Sequence, residues 1–222
     1  MAGTLYLVAT PIGNLKDISL RALEVLQSVA AVVCEDTRVT SKLLQHYEIK
    51  KPTLSWHHHS GPAALSQLIQ RLQTGESLAY VSDAGTPGIS DPGGKLVGAA
   101  VKVDIKIVPI PGPSAVTAVL SVAGIASDHY LFLGFPPHKK GRQTFFRALA
   151  QSPYVVVFYE STYRILKTMA ELERLLPERQ LVVGRELTKI FETVYRGTPA
   201  EVTAALKNSS TKGEFVVIVA PA

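Results

Sequence analysis

Residues Leu78–Gly94 have the sequence LAYVSDAGTPGISDPGG, which changes after Val81 from apolar residues to a segment rich in Gly, Pro and Asp. The apolar run at the start predicts a buried strand, and the cluster of Gly, Pro and Asp behind it predicts a loop. Glycine lets the backbone approach a ligand closely, and proline stiffens the chain. Ordinary turns need about two to five residues, and this loop is longer. We therefore predict a ligand-binding loop at the C-terminal end of a strand, followed by a helix that starts at Asp91 and Pro92.

The rest of the first half repeats this pattern of a strand, a loop and a helix. Such alternation predicts right-handed crossovers and a mostly parallel sheet, in which all strand-end loops lie at one edge. We expect four loops to converge on one cleft there: Thr10–Asn14, Glu35–Arg38, the loop that begins at Ser82, and Pro109–Ala115.

A second α/β domain is predicted after a break in the chain between Gly124 and Asp128. We place the boundary so that residues 1–124 form the first domain and residues 125–222 the second. The second domain is expected to hold a mixed sheet, with Phe191–Tyr195 and Phe215–Val219 as antiparallel neighbours. Its other strand candidates are Tyr130–Leu133, Tyr154–Phe158 and Leu181–Val183.

The composition is that of a folded protein. With 222 residues, 46% hydrophobic and 18% charged, the chain can bury a sizeable core and does not resemble a disordered protein. Its net charge of +5 permits a polyanionic partner without requiring one. The single cysteine, Cys34, excludes an internal disulfide and fits a reducing, cytoplasmic location. We expect no membrane segment, because no signal peptide and no apolar run of about 20 residues is present.

The loops lack the common signatures of nucleotide and hydrolase chemistry. There is no G-x-G-x-x-G around Gly13, no Gly-Lys-Ser/Thr phosphate loop and no Gly-x-Ser-x-Gly elbow. These absences argue against a conventional dehydrogenase, NTPase or hydrolase. His57–His59 invites a metal interpretation, but three adjacent side chains point in different directions and have no spaced partner ligands. We predict no metal and assign these histidines to a polar loop that lines the cleft.

Two charged segments each allow a structural and a functional interpretation. In Glu35–Arg38, the structural interpretation is that Asp36 or Thr37 caps a helix. The functional interpretation is that the segment takes part in catalysis or binding at the sheet edge. The cluster His138–Arg142, followed by Arg147, is either a solvated helix end or a phosphate-binding patch.

A family resemblance rests on seven motifs spread over nearly the whole chain. They are Leu5–Leu15 (LYLVATPIGNL), Glu35–Arg38 (EDTR), Ser82–Gly93, Pro111–Ala115 (PGPSA), Phe158–Ser161 (FYES), Gly184–Lys189 (GRELTK) and Lys212–Glu214 (KGE). Together they resemble the tetrapyrrole methylase superfamily, whose members bind S-adenosylmethionine between two α/β domains. The resemblance implies the class III S-adenosylmethionine methyltransferase fold and a homodimer. The motifs look closest to those members that methylate the ribose 2′-oxygen of a cytidine in the decoding region of 16S rRNA.

The resemblance also implies which residues contact S-adenosylmethionine. Position by position, they are Pro11, Ala84, Gly85, Thr86, Ile89, Ser114, Ala115, Glu160 and Gly197. Glu160 stands where relatives often have Met, and the turn at Gly85 replaces the Gly-Asp-Pro of tetrapyrrole enzymes. Both departures argue against a tetrapyrrole substrate.

The proposed chemistry needs few groups. Methyl transfer from a sulfonium is an in-line displacement, so the protein mainly aligns the reacting atoms. A ribose hydroxyl is a weak nucleophile, and a base or a cation that favours the alkoxide would help. The candidates for such catalytic work are Asp36, Asp83, Arg38 and Lys189, each of which could instead be a structural ion pair. The candidate RNA contacts are Lys139, Lys140, Arg142 and Arg147.

Two other classes of protein stay open at this point. A tetrapyrrole or other small-molecule methyltransferase would need an apolar cleft and no RNA dependence. A non-catalytic RNA-binding module would need more stacking side chains than the 7% aromatic residues of this chain provide.

Overall fold

The computed structural model describes residues 2–221, and the chain divides after Ser114 into two compact units. The division falls before the helix Ala115–Ser121, which packs against the sheet of the second unit. The sequence had placed the boundary at Gly124, one helix later. Within the described residues, no helix is both long enough and apolar enough to span a bilayer.

The first unit is built on a five-stranded sheet that is parallel throughout. Its strands are β1 (Thr4–Val8), β2 (Ala31–Cys34), β3 (Thr53–Ser55), β4 (Leu78–Val81) and β5 (Lys106–Ile110). They lie in the order β3-β2-β4-β1-β5. The parallel sheet predicted from the alternating pattern is therefore confirmed.

Helices cover both faces of this sheet. On one face, α1 (Leu20–Ser28) and α2 (Thr37–His46) pack against strand residues such as Val8 and Val32. On the other face, α3 (Pro62–Gln73) and α4 (Gly93–Val101) pack against residues such as Leu5 and Val33. The two faces have separate buried clusters because successive side chains of a strand point to opposite sides.

The second unit holds a mixed five-stranded sheet. Its strands are β6 (Tyr130–Phe132), β7 (Val155–Ser161), β8 (Leu181–Arg185), β9 (Thr193–Gly197) and β10 (Glu214–Val219). The order is β6-β7-β10-β8-β9, with β6 parallel to β7 and the other pairs antiparallel. The expected pairing of the strand near 191–195 with β10 is wrong, because β8 lies between them and β10 already has neighbours on both sides.

The helices of the second unit are α5 (Ala115–Ser121), α6 (Arg142–Ala150), α7 (Ile165–Leu175) and α8 (Pro199–Asn208). Helix α5 approaches β8 so closely that an ideal Cβ on Gly184 would lie 2.9 Å from Cγ2 of Val119. Glycine at this position is therefore a packing requirement. One core joins α6, α7 and α8 to the sheet through residues such as Phe146, Met169 and Leu206.

Candidate functional site

Four loops of the first unit meet at the C-terminal edge of its parallel sheet. They follow β1, β2, β4 and β5, and hydrogen bonds join them to one another. The amides of Thr10 and Gly85 bond to each other's carbonyls, both at N···O 3.0 Å. Oγ1 of Thr86 donates to the carbonyl of Pro113 at 3.2 Å. The predicted convergence of the loops is thus present in the structure.

The meeting point of β1 and β4 is a topological switch point. These two strands are neighbours in the sheet, yet the chain leaves β1 towards the helices on one face and leaves β4 towards those on the other. In open α/β sheets such a divergence opens a crevice at the carboxyl ends of the strands, where ligands bind. The bridge between Thr10 and Gly85 lies at this crevice.

The loop after β4 is held in a fixed conformation by Asp91. Its carboxylate accepts hydrogen bonds from the amides of Gly88 and Gly93, each at 2.7 Å, and from the hydroxyl of Tyr80 at 3.3 Å. From the other side, Nε1 of the buried Trp56 donates to the carbonyl of Pro92 at 3.1 Å. A loop fixed in this way presents its backbone to a ligand at little entropic cost.

Acidic side chains dominate the charge at this edge. Asp36 caps α2, where its Oδ1 accepts the Arg38 amide at 2.8 Å, and its Oδ2 also pairs with Nη2 of Arg38 at 2.6 Å. The hydrogen bonds from Arg38 lower the pKa of Asp36 to about 2. The capping interpretation of Asp36 is therefore confirmed, and its carboxylate also fixes the orientation of the exposed Arg38 side chain.

Two other carboxyl groups at this edge bind protons more tightly than usual. Burial, together with the negative charges of Asp91 and Asp83, raises the pKa of Glu35 to about 7. Burial also raises the pKa of Asp83, whose Oδ1 accepts the Asp36 amide at 3.1 Å. A group with a pKa near neutrality can accept or donate a proton at physiological pH. Glu35 is therefore the titratable group at this edge that is best suited to acid–base work.

The remaining predicted contacts of the first unit lie on the same loops. Pro11 and Ile89 come from the loops after β1 and β4, and Ser114 ends the loop after β5. Ala84 and Thr86 flank Gly85, which adopts a φ of +82°. Among the predicted cofactor contacts, these five join Gly85 at one sheet edge. Ala115, Glu160 and Gly197 belong to the second unit.

Lys189 is engaged within the second unit. Its Nζ lies 2.9 Å from Oε1 of Glu186 and 2.8 Å from Oε2 of Glu214. Burial alone would lower the pKa of Lys189, but the two carboxylates raise it. Its ammonium group therefore stays charged and holds the loop after β8, where Glu186 and Thr188 have positive φ values. This is the structural ion pair that the sequence had left as the alternative to a catalytic role.

Glu160, one of the predicted cofactor contacts, has its side chain enclosed within the second unit. Its carboxylate is fully buried and is engaged by Nε of Arg164 at 2.9 Å and by the hydroxyl of Thr168 at 2.6 Å. A carboxylate in such surroundings belongs to the core of its own unit. Gly197 has a φ of +141° beside the helix cap of Thr198, and an ideal Cβ there would lie 2.6 Å from Oε2 of Glu201. These contacts explain, from the local structure alone, why this position is occupied by glycine.

Arg142, one of the predicted RNA contacts, is also buried. Its side chain is 4% exposed, and its Nη2 donates to Oγ1 of Thr168 at 2.7 Å. The sequence contained a signal for this burial, because Arg142, Phe146 and Leu149 share one helix face at the spacing i, i+4, i+7. Lys139, Lys140 and Arg147 are exposed, as a phosphate-binding role requires.

The sequence analysis did not single out Glu35. It named the residue only as part of the Glu35–Arg38 motif and assigned the chemistry to its neighbours. The pKa of a carboxyl group depends on burial and on charges brought close by folding, here Asp91 and Asp83 on a loop more than forty residues away. The position of Glu35 directly after a buried strand was the one available signal.

Comparison with known proteins agrees with this geometry. Residues 4–203 match the family model described as Tetrapyrrole (Corrin/Porphyrin) Methylases. The chain belongs to the tetrapyrrole methylase family. A ribosomal RNA small subunit methyltransferase I of Synechocystis sp. is 46% identical, over 99% of this chain and 80% of its own length. A protein of the same name from Mesorhizobium japonicum is 49% identical, over 98% of this chain and 75% of its own length.

The fold of the family is also found in solved structures. Uroporphyrin-III C-methyltransferase from Thermus thermophilus, complexed with S-adenosylhomocysteine, matches with a TM-score of 0.67. The match covers 97% of each chain at 17% sequence identity. This likeness supports the class III methyltransferase fold that the resemblance implied.

Proposed function

We propose that this protein is an S-adenosylmethionine-dependent methyltransferase of small-subunit ribosomal RNA, which methylates the ribose 2′-oxygen of a cytidine in the decoding region. The observation that carries the proposal is the similarity over nearly the full chain to relatives named ribosomal RNA small subunit methyltransferase I. The tetrapyrrole alternative is supported only by more distant likenesses, at 17% identity for the solved structure above.

The loops at the sheet edge fit S-adenosylmethionine better than a phosphate-bearing nucleotide. Four carboxyl groups lie there, on Glu35, Asp36, Asp83 and Asp91. Within the segments Thr10–Asn14, Glu35–Arg38, Ser82–Gly94 and Pro109–Ala115, the only basic side chain is Arg38. Such a charge balance favours a cationic sulfonium and ribose hydroxyls, and it repels phosphates. The residues that would hold the group are Pro11, Ala84–Thr86, Ile89 and Ser114, with backbone close to the ligand at Gly85. When bound, S-adenosylmethionine supplies an electrophilic methyl group.

The residues of this edge can prepare the ribose hydroxyl for attack. A general base works best when its pKa lies near the working pH, which favours Glu35 over Asp36. We assign to Glu35 the removal of the 2′-hydroxyl proton and to Arg38, fixed by Asp36, the stabilisation of the developing oxyanion. Asp83 orients the Asp36 backbone and raises the pKa of Glu35.

The partner of the proposed reaction is the small ribosomal subunit or its 16S rRNA. Lys139, Lys140 and Arg147 are exposed cations that can neutralise phosphates. A homodimer is part of the proposal, since edge strand β6 and the residues after it expose large apolar side chains: Tyr130, Leu131, Leu133 and Phe135. A cytoplasmic location follows from the proposed substrate.

The test is transfer of tritiated methyl groups to small ribosomal subunits that lack native methylation. We expect label in the 16S rRNA, released on complete digestion as 2′-O-methylcytidine. Label in a methylated base would contradict the 2′-oxygen assignment, and label only in added uroporphyrinogen or precorrin would favour the tetrapyrrole alternative. Naked 16S rRNA and assembled subunits are compared in parallel to identify the preferred form.

A further inference from the structure

Helices α6 and α7 of the second unit enclose a groove in which cationic side chains outnumber anionic ones. The groove has a volume of about 440 Å³ and is lined by Gln143, Arg147, Lys167, Ala170, Glu171 and Arg174. Three of these six side chains are cations, and one is an anion. In the following, the name α6–α7 groove refers to this set of residues.

The single carboxylate of the groove is already neutralised. Glu171 pairs with Nη2 of Arg174 at 3.4 Å, and its other oxygen lies 3.8 Å from Nε of the buried Arg142. Across residues 2–221, Arg147 and Lys167 have no carboxylate within ion-pair distance. Within the described chain, Arg147 and Lys167 therefore offer positive charge that no carboxylate neutralises, and Arg174 shares its charge with Glu171.

The three cations lie on both walls of the groove. Lys167 and Arg174 are seven residues apart on α7, which is about 10 Å along the helix axis, and Arg147 faces them from α6. None of the six lining side chains is aromatic, so stacking on bases is not available there. A groove with exposed cations on both walls and no stacking groups is suited to a nucleic-acid backbone, which carries a regular series of negative charges.

A buried network beneath the groove keeps its two walls together. The guanidinium of Arg142 on α6 bonds to Thr168 on α7, and Thr168 bonds to Glu160 on β7. Arg142 is thus a positioning residue, although the sequence had suggested a direct contact with RNA. The network fixes α6 against α7, so the backbone positions that carry the three cations keep their spacing without a ligand.

We propose that the α6–α7 groove binds the phosphate backbone of the RNA substrate, with Arg147, Lys167 and Arg174 as contacts. This inference rests on the proposed function, because it assumes an RNA substrate. It adds Lys167 and Arg174, which lie on a different helix from the basic cluster that the sequence indicated. Because backbone contacts carry no sequence information, the groove contributes affinity, and it leaves the choice of nucleotide to other residues.

The test compares two variants with the same loss of charge. The groove variant carries Arg147→Gln, Lys167→Gln and Arg174→Gln. The control variant carries Lys50→Gln, Lys102→Gln and Lys207→Gln, at exposed positions scattered over other elements. Circular dichroism and binding of S-adenosylmethionine by calorimetry show whether both remain folded.

Binding of 16S rRNA is measured over a series of salt concentrations, and methyl transfer to small subunits is measured at varied subunit concentration. For the groove variant we expect the dissociation constant to rise at least about tenfold at ~0.1 M salt, and the slope of log K against log salt to fall by about 2. We expect KM for subunits to rise and kcat at saturation to be retained. The control variant should differ from wild type by less than about threefold.

Equal slopes and equal KM values for groove variant and wild type, with wild type active on subunits, would overturn the groove assignment alone. Equal losses in both variants would also overturn it, because net charge would then explain the effect. If the wild-type protein transfers no methyl group to subunits, the proposed function itself fails, and the two failures are thereby distinguished.

Discussion

The amides of Thr10 and Gly85 donate hydrogen bonds to each other's carbonyls and so join the loop after β1 to the loop after β4. The bond pair lies where the chain leaves two neighbouring strands towards opposite faces of the sheet. It requires Gly85 to adopt a φ of +82°, a conformation that residues with a Cβ rarely take. An ideal Cβ at Gly85 would lie 3.5 Å from Cγ2 of Ile12 and 3.7 Å from the carbonyl of Pro113.

Replacing Gly85 by valine should abolish binding of S-adenosylmethionine. The branched side chain strains the backbone and fills the space between Ile12 and Pro113, which lie in the loops after β1 and β5. Gly88→Val is the matched control, since Gly88 has a φ of +88° but an ideal Cβ there meets nothing within 4 Å. Both variants should lose about 1–2 kcal/mol of stability. Calorimetry should show a loss of affinity above about 30-fold for Gly85→Val only; equal losses would assign the effect to strain.

The sequence was sufficient to predict the loops of the first unit because their composition is local. Glycine, proline and aspartate in Ser82–Gly93 predict a stiff loop whatever surrounds it. The roles of the charged residues were harder to predict, because they depend on partners that are distant in sequence. The buried Arg142 is paired with Glu160 and Thr168, and the pKa of Glu35 is raised by burial and by the charge of Asp91. Patterns along the chain do not contain such long-range pairings.

Glu35→Gln should reduce kcat for methyl transfer by about 100-fold or more, because it removes the proposed proton acceptor. The wild-type enzyme should lose activity as the pH falls below about 7, where Glu35 becomes protonated. In the variant this acid limb should disappear. Binding of S-adenosylmethionine should change little. A variant with wild-type kcat and an unchanged pH profile would exclude Glu35 as the base.

The same substitution should stabilise the fold at alkaline pH. The folded-state pKa of Glu35 is raised from 4.5 to about 7, so the native state favours the protonated form. Wild-type stability should therefore fall as the pH rises from about 4.5 to about 7, relative to Glu35→Gln. The side chain is partly exposed, so solvent screening reduces the effect, and we expect about 1–2 kcal/mol in favour of the variant at pH 8. Urea unfolding at pH 5 and pH 8 measures it, with Glu24→Gln on the exposed side of α1 as the control.

The edge strand β6 should form part of the interface in the proposed homodimer. Sedimentation at micromolar concentration should give twice the 23.9 kDa of one chain for the wild type. Leu131→Asp places a charge on the exposed apolar strip of β6 and should shift the mass towards that of one chain. Leu20→Asp is the control, because Leu20 is 79% exposed on α1. A wild-type protein that sediments as one chain would contradict the dimer, and a dimeric Leu131→Asp variant would exclude β6 from the interface.

The Glu160 carboxylate should be a determinant of stability and should have no direct part in cofactor binding. Glu160→Ala removes the buried carboxylate that pairs with Arg164 at 2.9 Å and lies 3.9 Å from Arg142, which is itself only 4% exposed. Deleting one partner of a buried ion pair costs about 3–5 kcal/mol. Glu173→Ala, at an exposed position on α7, should change the free energy of unfolding by less than about 0.5 kcal/mol.

The double variant that carries Arg142→Met and Glu160→Met should lose less stability than the sum of the losses in the single variants Arg142→Met and Glu160→Met. The reason is that both charges leave the interior together. Urea denaturation of the four proteins of this cycle gives the coupling between the two side chains. Calorimetry at a temperature where Glu160→Ala is still folded then measures its affinity for S-adenosylmethionine. We expect that affinity to stay within about threefold of wild type. A loss of affinity without a loss of stability would show that Glu160 contributes directly to cofactor binding.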